Sequence, residues 1–591
     1  MDRDKLIGFT LIFAILLIYT HFWAPQPAPQ AAKDCIQPPT VSAPSPHIGE
    51  DTAASIPPPL NGVLAQAGQE PAREVVLENQ DIQVTLTARG GQIKAVTLKN
   101  YQDHQGKPLV LLDAQSSAMG FRFADAEAEA EVNTCTLPFE TADNDQYVAE
   151  GDVGQATFTW TLAPGQYIRH IFSLPSHGYQ LTHAWEIVGL EEHVDEGRID
   201  FVWHDLIKRT EKDIKACRHK ATINYYLADH AFKHLKEYAA NPEEQTISSP
   251  IQWVAIKQRF FTAGIIGDEA FARGAVALTP TPQSAATIKA AQVRLTLPLA
   301  DLQQVRKGKF TFYLGPNDYS LLRRVAPGFS KNLSLGWPIV KWVNQYFIIP
   351  LFAFLEQYIN NYGLIILMLV IAIKLLLLPL SYRSYLSIAQ MKVLKPTLDT
   401  LKAKYGGDLQ KMQMEQVKLY RAVGINPLSG CVPLLLQMPI LLAMFNFFPN
   451  AIALRQKSFL WAHDLSTYDS ILDLPFSIPA YGSHISLFTL LMAVSTLFHT
   501  WASSQSSTPE GPMKILVYLM PITFLFILND FPAGLTFYYF VSNLATLAQQ
   551  ELIKRFVDED SIREKLAANV ALHGEKSRFQ SRMQAAIRAK K

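Results

Sequence analysis

Hydrophobic and polar positions follow different rhythms in different parts of the chain. Between 71 and 325 the period is two. Ile82, Val84 and Leu86 alternate with polar residues, the pattern breaks at Gly90-Gly91, and it resumes through Ile93, Val96 and Leu98. The stretches 157–162, 167–172 and 310–314 behave in the same way. Alternation punctuated by Gly, Pro, Asn and Asp predicts antiparallel strands with one wetted face. The natural architecture for 71–325 is a β-sandwich.

Beyond 336 the alternation gives way to apolar runs at 362–380, 427–448, 485–501, 513–528 and 531–548. Another apolar run, 6–23, is uncharged and 18 residues long. A secretory signal has an apolar core of about 7–15 residues and a small-x-small cleavage site. This run is longer and no clean site follows it. It reads as a retained N-terminal anchor over 1–23, with a cleaved signal as the alternative, since about 20 apolar residues cross a bilayer. The expected fold class is therefore mixed: a six-span α-helical membrane bundle plus an all-β sandwich domain. The last two spans are parted only by Asn529 and Asp530, so they predict a tight helical hairpin. Both are short for a hydrocarbon layer of about 30 Å, and short spans thin the bilayer beside them.

The segments between these elements have characters of their own. Residues 24–70 are rich in Pro, Ala and Gln, which predicts a disordered linker. Residues 336–361 mix Trp337, Lys341 and Trp342 with aliphatics, the chemistry of an amphipathic helix lying in the headgroups. Within 383–423, Met391, Leu394, Leu398, Leu401 and Tyr405 step by three and four. Gly406-Gly407-Asp408 makes a turn, and Leu409, Met412, Leu419 and Val423 continue beyond it. That pattern predicts an antiparallel helical hairpin with a basic exterior.

Charge orients these pieces. The formal net charge is only +1, so no bulk preference for nucleic acid follows. Its distribution is uneven. The loop 381–426 holds eight Lys/Arg against three Asp/Glu, and the tail 551–591 is also basic. The positive-inside rule makes both cytoplasmic. Six spans with an inward N-terminus satisfy this and put the β-domain on the far side, the periplasm in a bacterium with an envelope.

Candidate chemistry is sparse. The four cysteines, Cys35, Cys135, Cys217 and Cys431, form no CxxC pair, and any disulfide among the first three is unassignable. His177, His183 and His193, with Glu191 and Glu192 nearby, lack a metal-ligand spacing and read as surface histidines. No G-x-x-x-x-G-K-[ST] and no H-E-x-x-H occurs, so no cofactor or metal is expected. One residue stands out. Lys374 lies inside the apolar run 362–380, about 9 Å at helical rise from its end at Leu380. A charge near the bilayer centre costs about 2.5–3.5 kcal/mol on insertion scales. It is either a snorkelling anchor or a cation facing a hydrated cavity. Gln437, Thr523, Tyr538, Tyr539, Ser542 and Asn543 are further polar residues on other spans. Together with Lys374 they are the candidate lining of a hydrophilic groove. A serine–lysine protease pairing Lys374 with Ser429, or a secondary transporter, would be the rival classes. Nothing in the sequence brings that pair together, and no repeated halves with paired broken helices occur.

Three stretches carry a family resemblance. The segment Asn426-Pro-Leu-Ser-Gly-Cys431-Val-Pro433-Leu-Leu-Leu-Gln437-Met-Pro439-Ile440 resembles the third-span signature of the YidC-type membrane protein insertases. Met520-Pro521-Ile-Thr523-Phe, and Phe531-Pro-Ala-Gly534 through Asn543 to Gln549-Gln550, resemble that family's last two spans. Trp253-Val-Ala255, Gln258-Arg259-Phe260-Phe261 and Gly315-Pro316 resemble its periplasmic domain. The resemblance implies a non-enzymatic insertase and chaperone in the bacterial inner membrane. Its partners would be nascent inner-membrane proteins, the lipid bilayer and the Sec translocon. The basic tail and the cytoplasmic hairpin are candidate ribosome contacts. It also implies a groove open to cytoplasm and lipid, in which many members carry arginine where Lys374 stands. The family's periplasmic domain is similar to sugar mutarotases, but no catalytic carboxylate–histidine set is apparent in this sequence, so no sugar chemistry is carried over.

Overall fold

The computed structural model describes residues 72–125, 130–190, 198–297, 305–405, 409–423, 432–478, 481–504 and 512–557, together with Ile562 and Glu564. The predicted anchor 1–23, the linker 24–70, Ser429, Cys431, His193, the turn at 406–408 and most of the basic tail lie outside these residues. Residues 66–508 and 518–591 belong to one compact unit, and 1–65 with 509–517 to another. All packing described below belongs to the first.

Period-two alternation becomes sheet as expected. An eight-stranded antiparallel sheet runs in the order Phe232–His234, Thr222–Leu227, Ile251–Lys257, Phe261–Phe271, Val305–Pro316, Gln180–Val188, Gln166–Pro175, Val153–Ala163. Facing it is a six-stranded sheet of Glu243–Ile247, Arg273–Pro280, Thr287–Thr296, Asp200–Lys208, Ser117–Asp125 and Ala130–Asn133. A five-stranded sheet, Pro108–Leu112, Gln92–Gln102, Ile82–Thr87, Glu74–Glu78 and Gln146–Tyr147, flanks them. Aromatic rings fill the space between the two larger sheets. Phe201 meets Phe310 at 5.2 Å, Trp203 meets Phe312 at 6.1 Å, and Phe121 stacks on His170 at 5.2 Å. Each fully buried phenylalanine contributes about 1.5–3 kcal/mol.

Two short helices trim this domain: α1 (Ile214–Lys220), capped by Asp213, and α2 (Tyr319–Val325), capped by Asp318. After α2 the chain covers the outer face of the larger sheet, where Phe329 packs 4.9 Å from Trp253 and Trp253 Nε1 donates to the Pro327 carbonyl. Cys135 and Cys217 are both free thiols, and Cys217 is buried.

One expectation is overturned. His183 is not on the surface. It shares parity with Leu181, Trp185 and Ile187 on the buried face of its strand, and its Nε2 lies 2.7 Å from His170 Nδ1. Burial lowers the His170 pKa to about 3 and holds His183 well below the usual imidazole range. On the opposing sheet, burial pushes Asp205 up to about 7.

From 338 onward the described structure is mainly helical: α3 (Pro338–Glu356, with one π turn at Asn344–Ile348), α4 (Tyr362–Leu376), α5 (Leu378–Val393), α6 (Lys395–Tyr405), α7 (Leu409–Val423), α8 (Val432–Phe447), α9 (Leu487–Ser504), α10 (Pro512–Leu528) and α11 (Ala533–Phe556). Val340, Val343, Ile348 and Phe352 of α3 are buried in the helical core, while Trp342, Tyr346 and Phe354 are exposed. By length and composition, α3 is one helix able to cross a membrane. The pair α4 and α5, bent by 61° at Leu376–Leu378, is a second. The bend has a local cause: Pro379 cannot donate an N–H to a continuing helix and suits the first turn of a new one. The remaining apolar helices are shorter, and α11, at 24 residues, carries polar side chains along its length. Within 383–423, where a helical hairpin is predicted, the described residues form the later part of α5 followed by α6 and α7. Leu394 and Ala389 form its core with Met391, Leu398 and Leu419 packed against them. A feature not anticipated is a two-stranded hairpin, Leu472–Ile478 with Gly482–Ile485, between α8 and α9.

Candidate functional site

Lys374 sits in the last turn of α4 and is half-buried. Its Nζ donates to Thr546 Oγ1 of α11 at 2.8 Å, and that hydroxyl donates in turn to the Ser542 carbonyl at 2.7 Å. An ammonium has three N–H donors; one is used among the described residues. No carboxylate pairs with Lys374 among the described residues.

The neighbouring positions extend this contact into a seam. Asn543 Nδ2 donates to Ser495 Oγ at 3.0 Å and to Thr496 Oγ1 at 2.8 Å on α9. Further along, Gln550 Nε2 lies 3.3 Å from His499 Nε2. Asn543, Thr546 and Gln550 recur at three and four residues, and so lie on one face of α11. At helical rise they extend over about 10 Å. The seam is thus built from α4, α9 and α11.

The candidate residues divide in consequence. Lys374, Ser542 and Asn543 belong to the seam. Tyr538 lies instead in the apolar core, 5.7 Å from Phe448. Tyr539 packs against Phe445 at 5.5 Å, and its buried hydroxyl has no hydrogen-bond partner among the described residues. Thr523 is exposed on α10 and returns its hydroxyl to the Leu519 carbonyl of its own helix. Gln437, half-buried on α8, shares no hydrogen bond with Lys374 among the described residues. Sequence reading missed Thr546, Ser495, Thr496, His499 and Gln550. Their signal was periodic: Thr546 and Gln550 fall one and two turns beyond Ser542, and His499 falls one turn beyond Ser495 and Thr496.

The outer end of this bundle is closed by the segment 448–470. Leu465 and Thr467 offer carbonyls to the first N–H groups of α11, Gly534 at 2.9 Å and Ala533 at 2.7 Å. Those donors would otherwise have no intrahelical partner.

Comparison with known proteins agrees with this division into a β-domain and a helical core. Residues 74–350 match the family model described as the YidC periplasmic domain, and residues 354–560 match the 60Kd inner membrane protein model. The chain is 58% identical over 592 aligned residues to the membrane protein insertase YidC of Amoebophilus asiaticus, covering 100% of this chain and 99% of the relative. It is 41% identical to that of Cytophaga hutchinsonii, covering 100% of this chain and 98% of the relative. Among solved structures, an active YidC insertase with its first transmembrane domain resolved aligns over 81% of this chain and 92% of its own. That alignment has 18% identity and a TM-score of 0.31. With both family models matched in order and relatives aligned end to end, the chain belongs to the YidC family of membrane protein insertases: inner-membrane proteins, not enzymes, with a β-rich periplasmic domain.

Proposed function

We propose that the seam around Lys374 is the hydrophilic groove through which this insertase passes the polar tails of its clients. The observation that carries this reading is that, among the described residues, the half-buried Lys374 contacts one hydroxyl and no carboxylate. A client segment must take its polar tail across about 30 Å of hydrocarbon. Water and a cation part-way through shorten that path for an acidic tail, and burial of the client's apolar segment in lipid drives the step. The test is insertion of matched acidic-tailed and neutral-tailed clients into vesicles bearing the full chain. Lys374→Ala is expected to slow the acidic-tailed client about tenfold, equivalent to about 1.4 kcal/mol, while Lys374→Arg retains insertion. Equal insertion of both clients by Lys374→Ala would reduce the lysine to a snorkelling anchor.

The same reading includes six spans: 1–23, 362–380, 427–448, 485–501, 513–528 and 531–548. In it α3 lies along the outer interface, and both termini and 381–426 are cytoplasmic. The exposed Trp342 and Tyr346 of α3 support the interfacial placement, because such rings favour the headgroup level. A cysteine at Gln410 and one at Asn144 are both expected to label, but from opposite faces of the membrane; labelling from the same face would contradict this topology. The basic tail and the hairpin α6–α7 are the proposed ribosome contacts, since clustered Lys/Arg neutralises phosphate. Cooperation with the Sec translocon belongs to the same proposal.

A further inference from the structure

The segment 448–470 touches the periplasmic domain as closely as it touches the helices. Arg455 and Glu211 form an ion pair of 2.8 Å whose side chains are only 2% and 7% exposed. The Arg455 guanidinium also donates to the Gln102 carbonyl and lies 5.2 Å from the centre of the Phe261 ring. Next to it, Gln456 has φ +57, in the left-handed region that favours glycine, and its side chain donates to the Gln102 and Asp103 carbonyls. Such backbone persists where its surroundings over-determine it. A second arginine reaches the other way. Arg259 of the β-domain is buried and donates to the Pro449 and Ser466 carbonyls, at 3.3 and 2.7 Å.

The opposite side of the same segment sits on the helices. Besides the two carbonyls that cap α11, Phe459 lies 4.9 Å from Phe537, and Trp461 lies 4.4 Å from Phe488 of α9. Isolated buried ion pairs are poor stabilisers because desolvation offsets their attraction. Here Arg455 gives Nε to the Glu211 carboxylate and Nη2 to the Gln102 and Thr210 carbonyls, a planar fork of donors that lysine cannot reproduce.

We infer that Arg455 and Arg259 are positioning residues: they clamp 448–470 between the β-domain and the outer ends of α9 and α11, and so hold the polar seam in register for insertion. Gly534, where the segment caps α11, is about 14 Å of helix from Asn543. A tilt at the capped end therefore moves the seam itself. The periplasmic domain acts on insertion through this clamp. The role in insertion rests on the groove reading above; the clamp does not.

The test uses the full chain in vesicles with Leu465→Cys as reporter, a fully buried position on the segment. Arg455→Ala is expected to slow insertion at least fivefold and to expose the reporter to an impermeant maleimide. Arg455→Lys, which keeps the charge toward Glu211 but not the fork, should recover part of both. Glu211→Ala should match Arg455→Ala, and the double variant should be no worse than either. Parental insertion by Arg455→Ala, or slowed insertion with the reporter still protected, would overturn the inference. So would failure of Arg455→Lys to recover either readout. If Lys374→Ala inserts both clients normally while Arg455→Ala slows insertion and exposes the reporter, the groove reading fails and the clamp stands.

Discussion

Replacing Gly363 by leucine is expected to abolish insertion by the purified chain. Gly363 is the second residue of α4, and a Cβ there would sit 2.1 Å from Phe459 Cδ2. That ring is not a free end. It is held against Phe537, and its backbone lies within the segment that caps α11. Glycine is a poor helix former, costing about 1 kcal/mol relative to alanine. Its presence here answers to space, not to helix propensity. Alanine should cost about 2 kcal/mol, and leucine about 3 kcal/mol or more, within or beyond the usual range for overpacking. Thermal unfolding of the solubilised chain measures the loss. Phe459→Leu should restore part of the stability of Gly363→Ala, because it vacates the same space. A Gly363→Leu protein as stable and active as the parent would show that the segment does not lie on α4 as described.

Acidification is expected to weaken the periplasmic domain. In the folded chain His170 titrates at about 3 and His183 well below 6.5, whereas both titrate near 6.5 once unfolded. A depressed histidine binds its proton more readily in the unfolded chain, so stability falls as pH drops below about 6.5. Asp205 acts in the opposite sense. Its folded pKa of about 7 lies above the unfolded 3.8, so the folded chain holds the extra proton in this range and gains stability as pH falls. Between pH 6.5 and 4.5 His170 contributes a loss of about 2 kcal/mol, which the Asp205 gain of about 2–3 kcal/mol offsets. The depressed His183 adds its own loss in the same direction and makes the net effect a loss. Urea unfolding of the full chain, followed by fluorescence of the buried Trp203 and Trp253, measures it. Asp205→Asn should steepen the acid loss. His170→Leu with His183→Phe should reverse the slope, and an unchanged slope in that variant would remove the histidine pair from the explanation.

Much of this architecture was legible in the sequence. Alternation located the strands around 82–87, 166–175 and 305–316, because one wetted face forces period two. His183 was misread although the same alternation held the answer: it falls on the parity of Leu181 and Trp185, and parity decides burial on a strand. The strand Leu472–Ile478 escaped although Leu472, Leu474, Phe476 and Ile478 alternate with Asp473, Pro475 and Ser477, because a proline inside the run argues against a strand and the run adjoins an apolar helical stretch. The seam was half visible. A polar residue in an apolar run is conspicuous, so Lys374, Ser542 and Asn543 were found, and so were Thr523 and Gln437, which do not join them. What separates these groups is which helix faces which, and that is set by packing among α4, α9 and α11. The arginines of the outer segment were illegible for the same reason: Arg455 and Glu211 are 244 residues apart and meet only once both domains are folded.

The partner of Lys374 also bears on how the protein can work repeatedly. A fixed carboxylate beside the ammonium would have to be displaced by each arriving anionic tail and would compete with it throughout. A neutral hydroxyl imposes no such exchange. In the groove reading proposed above, Thr546 would hold the side chain in place while leaving its charge accessible, and would take the ammonium back when the tail has gone. On that reading the attraction would be that of one cation for one anionic tail, enough to bias entry and reversible without a nucleotide. On the same reading, turnover would be set by how quickly the client's apolar segment moves into lipid, with the lysine returning to its starting contact and no chemical step between one client and the next.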